Sequence, residues 1–319
     1  MKKITGESQN QNVIAPVAAF NERKLIYLVN PISGNKNKAR IINELKKYST
    51  DKNLHWDIFE TNKQGNYDFV IEKIRKEKIT DIVIVGGDGS VNQAVSALHK
   101  EDVCFGIIPF GSGNGLARAV GIPMNTKQAF EIIAKGESKF TDAFLVNGHL
   151  YGCMLTGVGF DAKVAHEFAS STQRGLKTYV QKVISNFFNI KPYLFEIEAE
   201  GFKFTTEAFF LSIANGNQFG NNFTIAPKAS VNDGLLDIVV VQKMKKRKLL
   251  AAIIKQISGK NELQDYVGRA ESKDILYLQR PKLKIKNTAL APIHIDGEPI
   301  DTAKEFEIEI LRNNFKLIQ

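Results

Sequence analysis

The segment from Asp81 to Val95, DIVIVGGDGSVNQAV, contains the residues with the clearest chemical potential in the chain. Its run of four apolar residues predicts a buried strand, and three glycines follow at the start of a predicted helix. Backbone N–H groups in such a turn can face an anion, which is a phosphate-binding geometry. A carboxylate beside phosphate repels it unless a cation lies between them. Asp88 therefore indicates a magnesium–nucleotide complex, with a structural turn aspartate as the alternative.

A second glycine turn, GSGNGLARAVGIP from Gly111 to Pro123, strengthens the case for a nucleotide site. Small residues and a hydroxyl again precede a predicted helix, and this helix carries Arg118. Arg118 is either a surface arginine or a contact to phosphate or to another domain. Two such turns in one domain indicate a shared function.

Two acidic pairs occur late in the chain. Asp296 and Glu298 flank a glycine in HIDGEPI, where one of them could act as a general base. A hairpin turn with solvated carboxylates is the commoner origin of this fragment when it is taken alone. Asp233 and Asp237, in VNDGLLDIVVV, lie at the mouth of a predicted strand. A carboxylate and a backbone carbonyl there would suit a hard cation, and turn aspartates are equally consistent with the pattern.

The predicted elements divide the chain into two parts. From residue 24 to about residue 136, short apolar runs alternate with helical patterns, which predicts βαβ units and a mostly parallel sheet. Three of the runs end in the turns NPISG, GGDGS and PFGSGN, and ligands bind such sheets at the carboxyl ends of the strands. After residue 140, strand patterns separated by Gly, Asn and Asp turns predict an antiparallel β domain, interrupted by three helical patterns.

We therefore predict an α/β fold with a flexible N-terminal tail at 1–22, an α/β nucleotide-binding domain at 23–141 and a β-rich, sandwich-like domain at 142–319. The C-terminal end of the chain either stays in the second domain or returns to the first. A cleft between the two domains is the expected place for a substrate.

Composition limits the class of protein. The 319 residues are 43% hydrophobic and 24% charged, as in globular proteins, and no apolar run reaches the roughly 18 to 20 residues that span a bilayer. The N-terminus lacks the apolar core of a secretion signal. Cys104 and Cys153 lie in apolar settings that favour reduced thiols. A cytoplasmic location is therefore expected.

The charge of the chain limits its partners. A net charge of +9 predicts attraction to phosphate-rich molecules, such as nucleotides or anionic lipid headgroups. Neither zinc-ligand spacing nor an RNA-binding signature is found, so no nucleic-acid partner is expected. The basic run KMKKRK at 243–248 is more typical of a solvated turn at a helix start than of a docking patch.

Seven motifs occur together in a recognisable order: NPISG, GGDGSVNQ, GIIPFGSGNGLAR, GVGFDA, ANGNQFGN, APKASVNDGLLD and HIDGE. From about Lys24 to its end, the chain resembles the diacylglycerol kinase catalytic-domain family, in particular the bacterial lipid kinases related to sphingosine and ceramide kinases. The resemblance implies an N-terminal α/β domain similar to those of NAD kinase and phosphofructokinase. It also implies a β-rich second domain, with ATP in the cleft between the two.

The resemblance also implies roles for individual residues. It assigns nucleotide contacts to Asn30, Pro31, Ile32, Ser33, Gly34, Thr61, Gly86, Gly87, Asp88, Gly89, Ser90, Val91, Asn92, Gln93, Ser112, Gly113 and Asn114. Asp233, together with the backbone carbonyls of Ser230 and Leu235, resembles the magnesium site of the family. Glu298 or Asp296 resembles the base that deprotonates the lipid hydroxyl, and Asp88 is included in the catalytic set. Asp161 and Arg118 are assigned to the acceptor substrate.

Three positions differ from the usual family pattern. Ser90 replaces a threonine and keeps its hydroxyl, Gln93 stands where many members have glutamate, and Gly115 replaces an aspartate of typical diacylglycerol kinases. The last difference concerns the choice of acceptor more than the chemistry of transfer.

The predicted activity is ATP- and magnesium-dependent transfer of the γ-phosphate to a hydroxyl of a membrane lipid. The acceptor could be a diacylglycerol, a sphingoid base, ceramide, phosphatidylglycerol or another lipid alcohol. The enzyme would sit peripherally on an anionic membrane. Phe187 and Phe188 could contact that membrane, although core packing is more typical of such residues. A soluble-metabolite kinase of the NAD kinase type and a non-catalytic lipid- or nucleotide-binding protein are the alternatives. The oligomeric state is open, with a homodimer among the options.

Overall fold

The computed structural model describes residues 23–31, 38–62, 64–169, 171, 176–187, 189–218, 226–249, 251 and 274–319. The strands in these ranges are β1 (Lys24–Val29), β2 (His55–Glu60), β3 (Asp81–Gly86), β4 (Cys104–Pro109), β5 (Ser138–Val146), β6 (Leu150–Gly152), β7 (Leu155–Gly159), β8 (Tyr193–Ala199), β9 (Phe202–Ala214), β10 (Leu236–Gln242), β11 (Ile275–Arg280), β12 (Lys282–Lys286), β13 (Ile293–Ile295), β14 (Glu298–Ile300) and β15 (Glu305–Ile318). The helices are α1 (Lys38–Asp51), α2 (Asp68–Glu77), α3 (Asp88–Leu98), α4 (Gly115–Ala119), α5 (Thr126–Lys135), α6 (Phe160–Ala169) and α7 (Leu176–Phe187). The predicted tail at 1–22 lies outside the described residues.

The first part of the chain is a parallel sheet with helices on both faces. Strands β2, β1, β3 and β4 lie side by side in that order, and all three pairings are parallel. The apolar side chains of β1, β3 and β4 are buried on both faces, in two separate core clusters, and those of the edge strand β2 are partly buried against them. The predicted α/β architecture is confirmed. Because the strands are parallel, the turns that follow them meet at one edge of the sheet.

The second part of the chain is built on antiparallel strands. Strands β13, β7, β9, β8 and β12 are neighbours, and β10 and β11 extend from β9. Side chains from these strands and from β5 and β15 enclose one apolar core. A second apolar cluster forms on the opposite face, where α6 and α7 pack, and it contains Phe187. Phe187 is therefore a core residue, and Phe188 lies outside the described residues.

Two long strands, β5 and β15, run through both parts of the molecule. Their pairing shifts register between Leu311 and Phe315. At this irregularity the Asp142 carboxylate accepts hydrogen bonds from the backbone N–H groups of Asn313 and Gly234, each at 2.7 Å. The predicted domain boundary, just before Asp142, thus falls inside a continuous strand, at the place where its pairing is interrupted.

The last strand returns to the first sheet. Lys316 and Leu317 of β15 pair in parallel with Cys104 and Phe105 of β4. Cys104 and Cys153 are both free thiols. In the run at 243–248, Lys243 and Lys248 pair with Glu207 and Asp274, and residues 246–249 are helical. Of the helices in the described ranges, none is both long enough and apolar enough to cross a membrane.

Candidate active site

The two glycine turns lie against each other at the carboxyl ends of β3 and β4. A Cβ atom added to Gly111 would lie 2.4 Å from the Cα atom of Gly87, closer than backbone and side-chain atoms approach in real proteins. A Cβ on Gly86 would lie 2.7 Å from the Ser90 side chain. Glycine is therefore required at these positions so that the turns can approach. The result is one continuous rim of backbone, as the spacing of the two motifs predicts.

Replacing Gly111 with alanine is expected to destabilise the protein by about 1 to 3 kcal/mol, because the new methyl group collides with backbone that cannot move aside. We also expect weaker ATP binding, since separating the turns distorts the rim. Urea unfolding and equilibrium ATP titration measure the two effects. Gly106→Ala is the matched control, because its Cβ meets chiefly the side chain of Ile133, at 3.1 Å. An equal or larger effect of the control on ATP binding would contradict this account.

Several of the predicted nucleotide residues shape the rim through their side chains. The amide of Asn114, at a φ of 55°, closes the second turn through hydrogen bonds to both backbone groups of Gly111, each at 2.9 Å. Asn30, directly after β1, donates to the Ser90 hydroxyl at 2.6 Å. Gln93 accepts from the Tyr67 hydroxyl at 3.0 Å.

The remaining members of that predicted set follow the strand ends. Thr61 is buried after β2, Pro31 follows Asn30, and Val91 packs into the core beneath α3. Ser112 and Gly113 lie in the second turn. Ile32, Ser33 and Gly34 lie outside the described residues. The structure thus brings the described members of the set to one edge of the sheet.

Asp88 is the first residue of α3 and points toward the second turn. Its Oδ1 accepts a hydrogen bond from the Leu116 backbone N–H at 3.3 Å, at the start of α4. The pKa of this carboxyl is raised from 3.8 to about 6, chiefly by burial and in smaller part by the nearby Asp296 carboxylate, against backbone hydrogen bonds that lower it. Asp88 therefore carries its negative charge at an electrostatic cost.

Asp296 is held by four hydrogen bonds in the turn between β13 and β14. Its Oδ1 accepts from the N–H groups of Met154 and Leu155, at 2.8 and 2.9 Å. Its Oδ2 accepts from the Cys153 N–H at 2.8 Å and from the Asn92 side-chain amide at 2.7 Å. Each carboxylate oxygen thus accepts two hydrogen bonds, which is a typical full complement. This arrangement orients the turn.

Glu298 differs from Asp296 in its surroundings. It is exposed and lies across from the first turn of α3, because a Cβ on Gly89 would be 3.3 Å from the Glu298 Oε1 atom. Its carboxylate therefore faces the phosphate-binding turn across a narrow gap. Both acids of HIDGE line the cleft at this gap, and Glu298 is the more exposed of the two.

A cleft of about 640 Å³ opens beside Glu298 and separates α3 from the second domain. One wall is a single face of α3, with Gly89, Asn92 and Ser96 at helical spacing, and it continues to His99 directly after the helix. The opposite walls carry apolar side chains together with Tyr151, whose ring stacks on His99 at 5.0 Å. Lys100 and His149 also line the cleft. It can therefore accommodate a molecule that has both apolar and anionic parts.

The turn at 230–235, where the sequence predicts a cation site, is held together by hydrogen bonds between its own residues. Asp233 Oδ1 accepts from the Leu235 N–H at 3.0 Å, and the Ser230 hydroxyl donates to Asn232 at 2.7 Å. Burial raises the pKa of Asp233, as does the nearby Asp142 carboxylate. The turn offers one exposed carboxylate and backbone carbonyls, so a magnesium ion there would keep most of its water. Asp237 is fully buried in β10 and does not share the turn.

The donor set beside the glycine turns fits a cation that arrives with phosphate. In the part of the chain that the structure describes, no group of three His, Cys, Asp or Glu side chains is arranged to hold a metal ion. Asp88 and Asp296 nevertheless place two carboxylates close enough to repel each other. A divalent cation coordinated by phosphate oxygens would relieve this repulsion.

Arg118 and Asp161, the predicted substrate residues, do not line the cleft. The Arg118 guanidinium donates to the Gly113 carbonyl at 3.1 Å and so supports the second glycine turn. Asp161 is buried in the first turn of α6, where it accepts from the Ala162 N–H at 2.8 Å. Its Oδ2 lies 3.6 Å from His294 Nε2.

Two groups of residues at the site were not predicted from the sequence. Ser96 on α3, and His99 and Lys100 directly after it, could have been found from the helical spacing of polar positions after Asp88. The backbone N–H groups of 153–155 that hold Asp296 carry no sequence signal, because any residue except proline supplies a backbone donor.

Comparison with known proteins agrees with this geometry. Residues 24–146 match the family described as diacylglycerol kinase catalytic domain, and residues 155–313 match the family described as YegS C-terminal NAD kinase beta sandwich-like domain. Together the two matches account for most of the chain, which combines a diacylglycerol kinase catalytic domain with a YegS C-terminal domain. The predicted resemblance is confirmed, and the protein is a kinase.

Similar proteins cover nearly the whole chain. A probable lipid kinase YegS-like protein of Pectobacterium atrosepticum is 29% identical over 300 residues, which are 91% of this chain and 94% of the relative. The corresponding protein of Yersinia enterocolitica is 26% identical over 297 residues, which are 91% of this chain and 94% of the relative. A crystal structure described as a diacylglycerol kinase from Bacillus anthracis aligns with a TM-score of 0.68 at 21% identity, covering 93% of this chain and 96% of that one. It shows a shared fold.

Proposed function

We propose that this kinase transfers the γ-phosphate of ATP to a hydroxyl group of a membrane lipid. One observation carries the proposal: the phosphate-binding turn at Gly89 and the exposed Glu298 carboxylate face each other across the mouth of one cleft. A nucleotide on the turn and an acceptor in the cleft would meet at Glu298. Phosphoryl transfer depends mainly on such positioning and on stabilisation of charge.

The glycine turns would hold the phosphates of ATP through backbone N–H groups at the start of α3. Asp88, with Asp296 nearby, would hold the magnesium ion that accompanies the nucleotide. This ion would neutralise charge that develops on the phosphate oxygens. The cost of keeping Asp88 ionised in the absence of a cation supports this role.

Glu298 would act as the general base. The acceptor hydroxyl oxygen forms a bond to the γ-phosphorus, the bond from that phosphorus to the bridging oxygen breaks, and ADP leaves. The hydroxyl proton moves to a Glu298 carboxylate oxygen. Asp296 would orient the turn that carries Glu298, since its four hydrogen bonds fix the backbone two residues earlier.

Transfer of labelled phosphate to a panel of acceptor molecules tests this proposal directly. Labelled γ-phosphate would be supplied as ATP to the enzyme with diacylglycerol, a sphingoid base, ceramide or phosphatidylglycerol in mixed micelles, and with NAD as a soluble acceptor. We expect label in at least one lipid. Labelling of NAD alone would refute the lipid assignment and favour a soluble-metabolite kinase.

We further expect binding to anionic vesicles that weakens as salt is raised, because the net charge of +9 favours negatively charged headgroups. Each lysine near such a surface contributes about 1 kcal/mol. Flotation with vesicles containing phosphatidylglycerol, at low and high salt, measures this, and vesicles of neutral lipid serve as the control. Binding that is equal for both vesicles and insensitive to salt would argue against electrostatic docking.

A further inference from the structure

Asn92 connects the nucleotide-binding helix to the second domain. Its side-chain nitrogen donates to the Tyr151 carbonyl at 3.0 Å and to Asp296 Oδ2 at 2.7 Å. Both acceptors belong to the second domain, whereas Asn92 lies one turn after the glycines on α3. The amide group is thus directed across the cleft and away from the phosphate-binding rim.

The Asp296 contact makes Asn92 part of a larger network. The same carboxylate holds the backbone N–H groups of residues 153–155, and the Asp296 N–H donates to the Leu155 carbonyl at 2.8 Å. Because one partner is charged, these hydrogen bonds are stronger than those between neutral groups. The network fixes the turn that carries Glu298, two residues beyond Asp296.

Because Asn92 lies on α3, the hydrogen-bond network joins the phosphate-binding turn to Glu298. Gly89, three residues earlier on the same helix face, lies opposite Glu298. A rigid helix therefore connects the phosphate-binding turn to the Asn92 amide, and the hydrogen bonds of Asp296 connect that amide to the proposed base. Asn92 therefore helps to set the separation between the phosphate-binding turn and Glu298.

We propose that Asn92 is a positioning residue that couples the nucleotide-binding turn to Glu298, rather than a ligand of the nucleotide. The inference rests on the proposed function, because it assigns Glu298 as the base. A positioning role predicts an effect on turnover. A nucleotide ligand predicts an effect on ATP affinity.

Two variants test the proposal. Asn92→Ala removes both hydrogen bonds, and Asn92→Asp keeps the size of the side chain but places a second carboxylate against Asp296. We expect kcat to fall by about 10- to 100-fold in Asn92→Ala, which corresponds to the loss of one hydrogen bond to a charged group, and further in Asn92→Asp. The KM for ATP and the equilibrium affinity for ATP should stay unchanged in Asn92→Ala.

Hydrogen exchange supplies a readout that does not depend on catalysis. In both variants the amides of residues 153–155 should exchange faster than in the native protein, because Asp296 loses a partner that holds it in place. Asn125→Ala is the control, since Asn125 caps α5 through the Gln128 N–H, away from the cleft. It removes a helix cap and should leave both kcat and the exchange of these amides unchanged.

These experiments distinguish the positioning role of Asn92 from the proposed lipid kinase activity. Weaker ATP binding with unchanged kcat, or unchanged exchange at 153–155 in both variants, would overturn the positioning role. Lower kcat with faster exchange and unchanged ATP affinity would establish it. If the native enzyme transfers phosphate to no lipid, the proposed function fails. The hydrogen-exchange result is independent of that failure: unchanged exchange of the 153–155 amides in both Asn92 variants would overturn the positioning role by itself.

Discussion

Glu298→Gln is expected to lower kcat by about 10²- to 10⁴-fold, the usual contribution of a positioned general base, with little change in stability or in ATP affinity. The reason is local. Glu298 is exposed, and glutamine keeps its size while losing the ability to accept the proton. Initial rates at saturating ATP and lipid measure the effect. Circular dichroism and urea unfolding check the fold.

Asp296→Asn is the informative comparison for this prediction. Asparagine can keep an acceptor for Met154 and Leu155, but its NH₂ group would then face two other donors, the Cys153 N–H and the Asn92 amide. We therefore expect Asp296→Asn to lose both stability and activity, whereas Glu298→Gln loses activity alone. Normal turnover in Glu298→Gln would show that Glu298 is not the base.

Asp88→Asn is expected to make the protein more stable near pH 8 while lowering kcat by about 10²- to 10³-fold, the range found when a preorganised electrostatic group is removed. Asparagine keeps an oxygen that can accept from the Leu116 N–H and carries no charge to bury or to repel Asp296. The loss of activity follows because the cation that accompanies ATP would lose a ligand.

The sign of the stability effect follows from the raised pKa of Asp88. Between its ordinary pKa of 3.8 and the folded value of about 6, the folded state binds the proton more strongly than the unfolded state. Stability therefore falls as pH rises through this window, and it stays lower above pH 6. A shift of about two pKa units corresponds to at most about 3 kcal/mol.

Urea unfolding of the native protein and of Asp88→Asn at pH 4.5 and pH 8 tests this dependence. The stability advantage of the variant should be larger at pH 8 than at pH 4.5. An advantage that is equal at both values, or a less stable variant at pH 8, would contradict the electrostatic account of Asp88.

The sequence predicted best those features in which the functional residues and the element that positions them lie in the same segment. The glycines of GGDG and GSGN indicated close backbone approach after two strands, and the structure shows why Gly87 and Gly111 lack side chains. Alternating elements indicated the parallel sheet, because buried parallel strands have continuous apolar runs. These features depend on residues close together in the chain.

The sequence was least informative where distant segments meet. HIDGE taken alone resembled an ordinary solvated turn, and only its contacts with α3 and with residues 153–155 distinguish Asp296 from Glu298. The direction of the Asn92 amide and the burial of Asp161 likewise depend on long-range packing. Motif spacing therefore located the acids, and tertiary structure divided the roles among them.

The central claim is that one cleft brings the γ-phosphate of ATP, a lipid hydroxyl and Glu298 together. The most direct measurement follows labelled γ-phosphate into the organic-solvent-extractable lipid of mixed micelles, with native enzyme, Glu298→Gln and Asn125→Ala assayed side by side. We predict that native enzyme and Asn125→Ala label lipid at similar rates, and that Glu298→Gln does so at least about 100-fold more slowly. Label confined to the aqueous phase, or equal rates for native enzyme and Glu298→Gln, would contradict the claim.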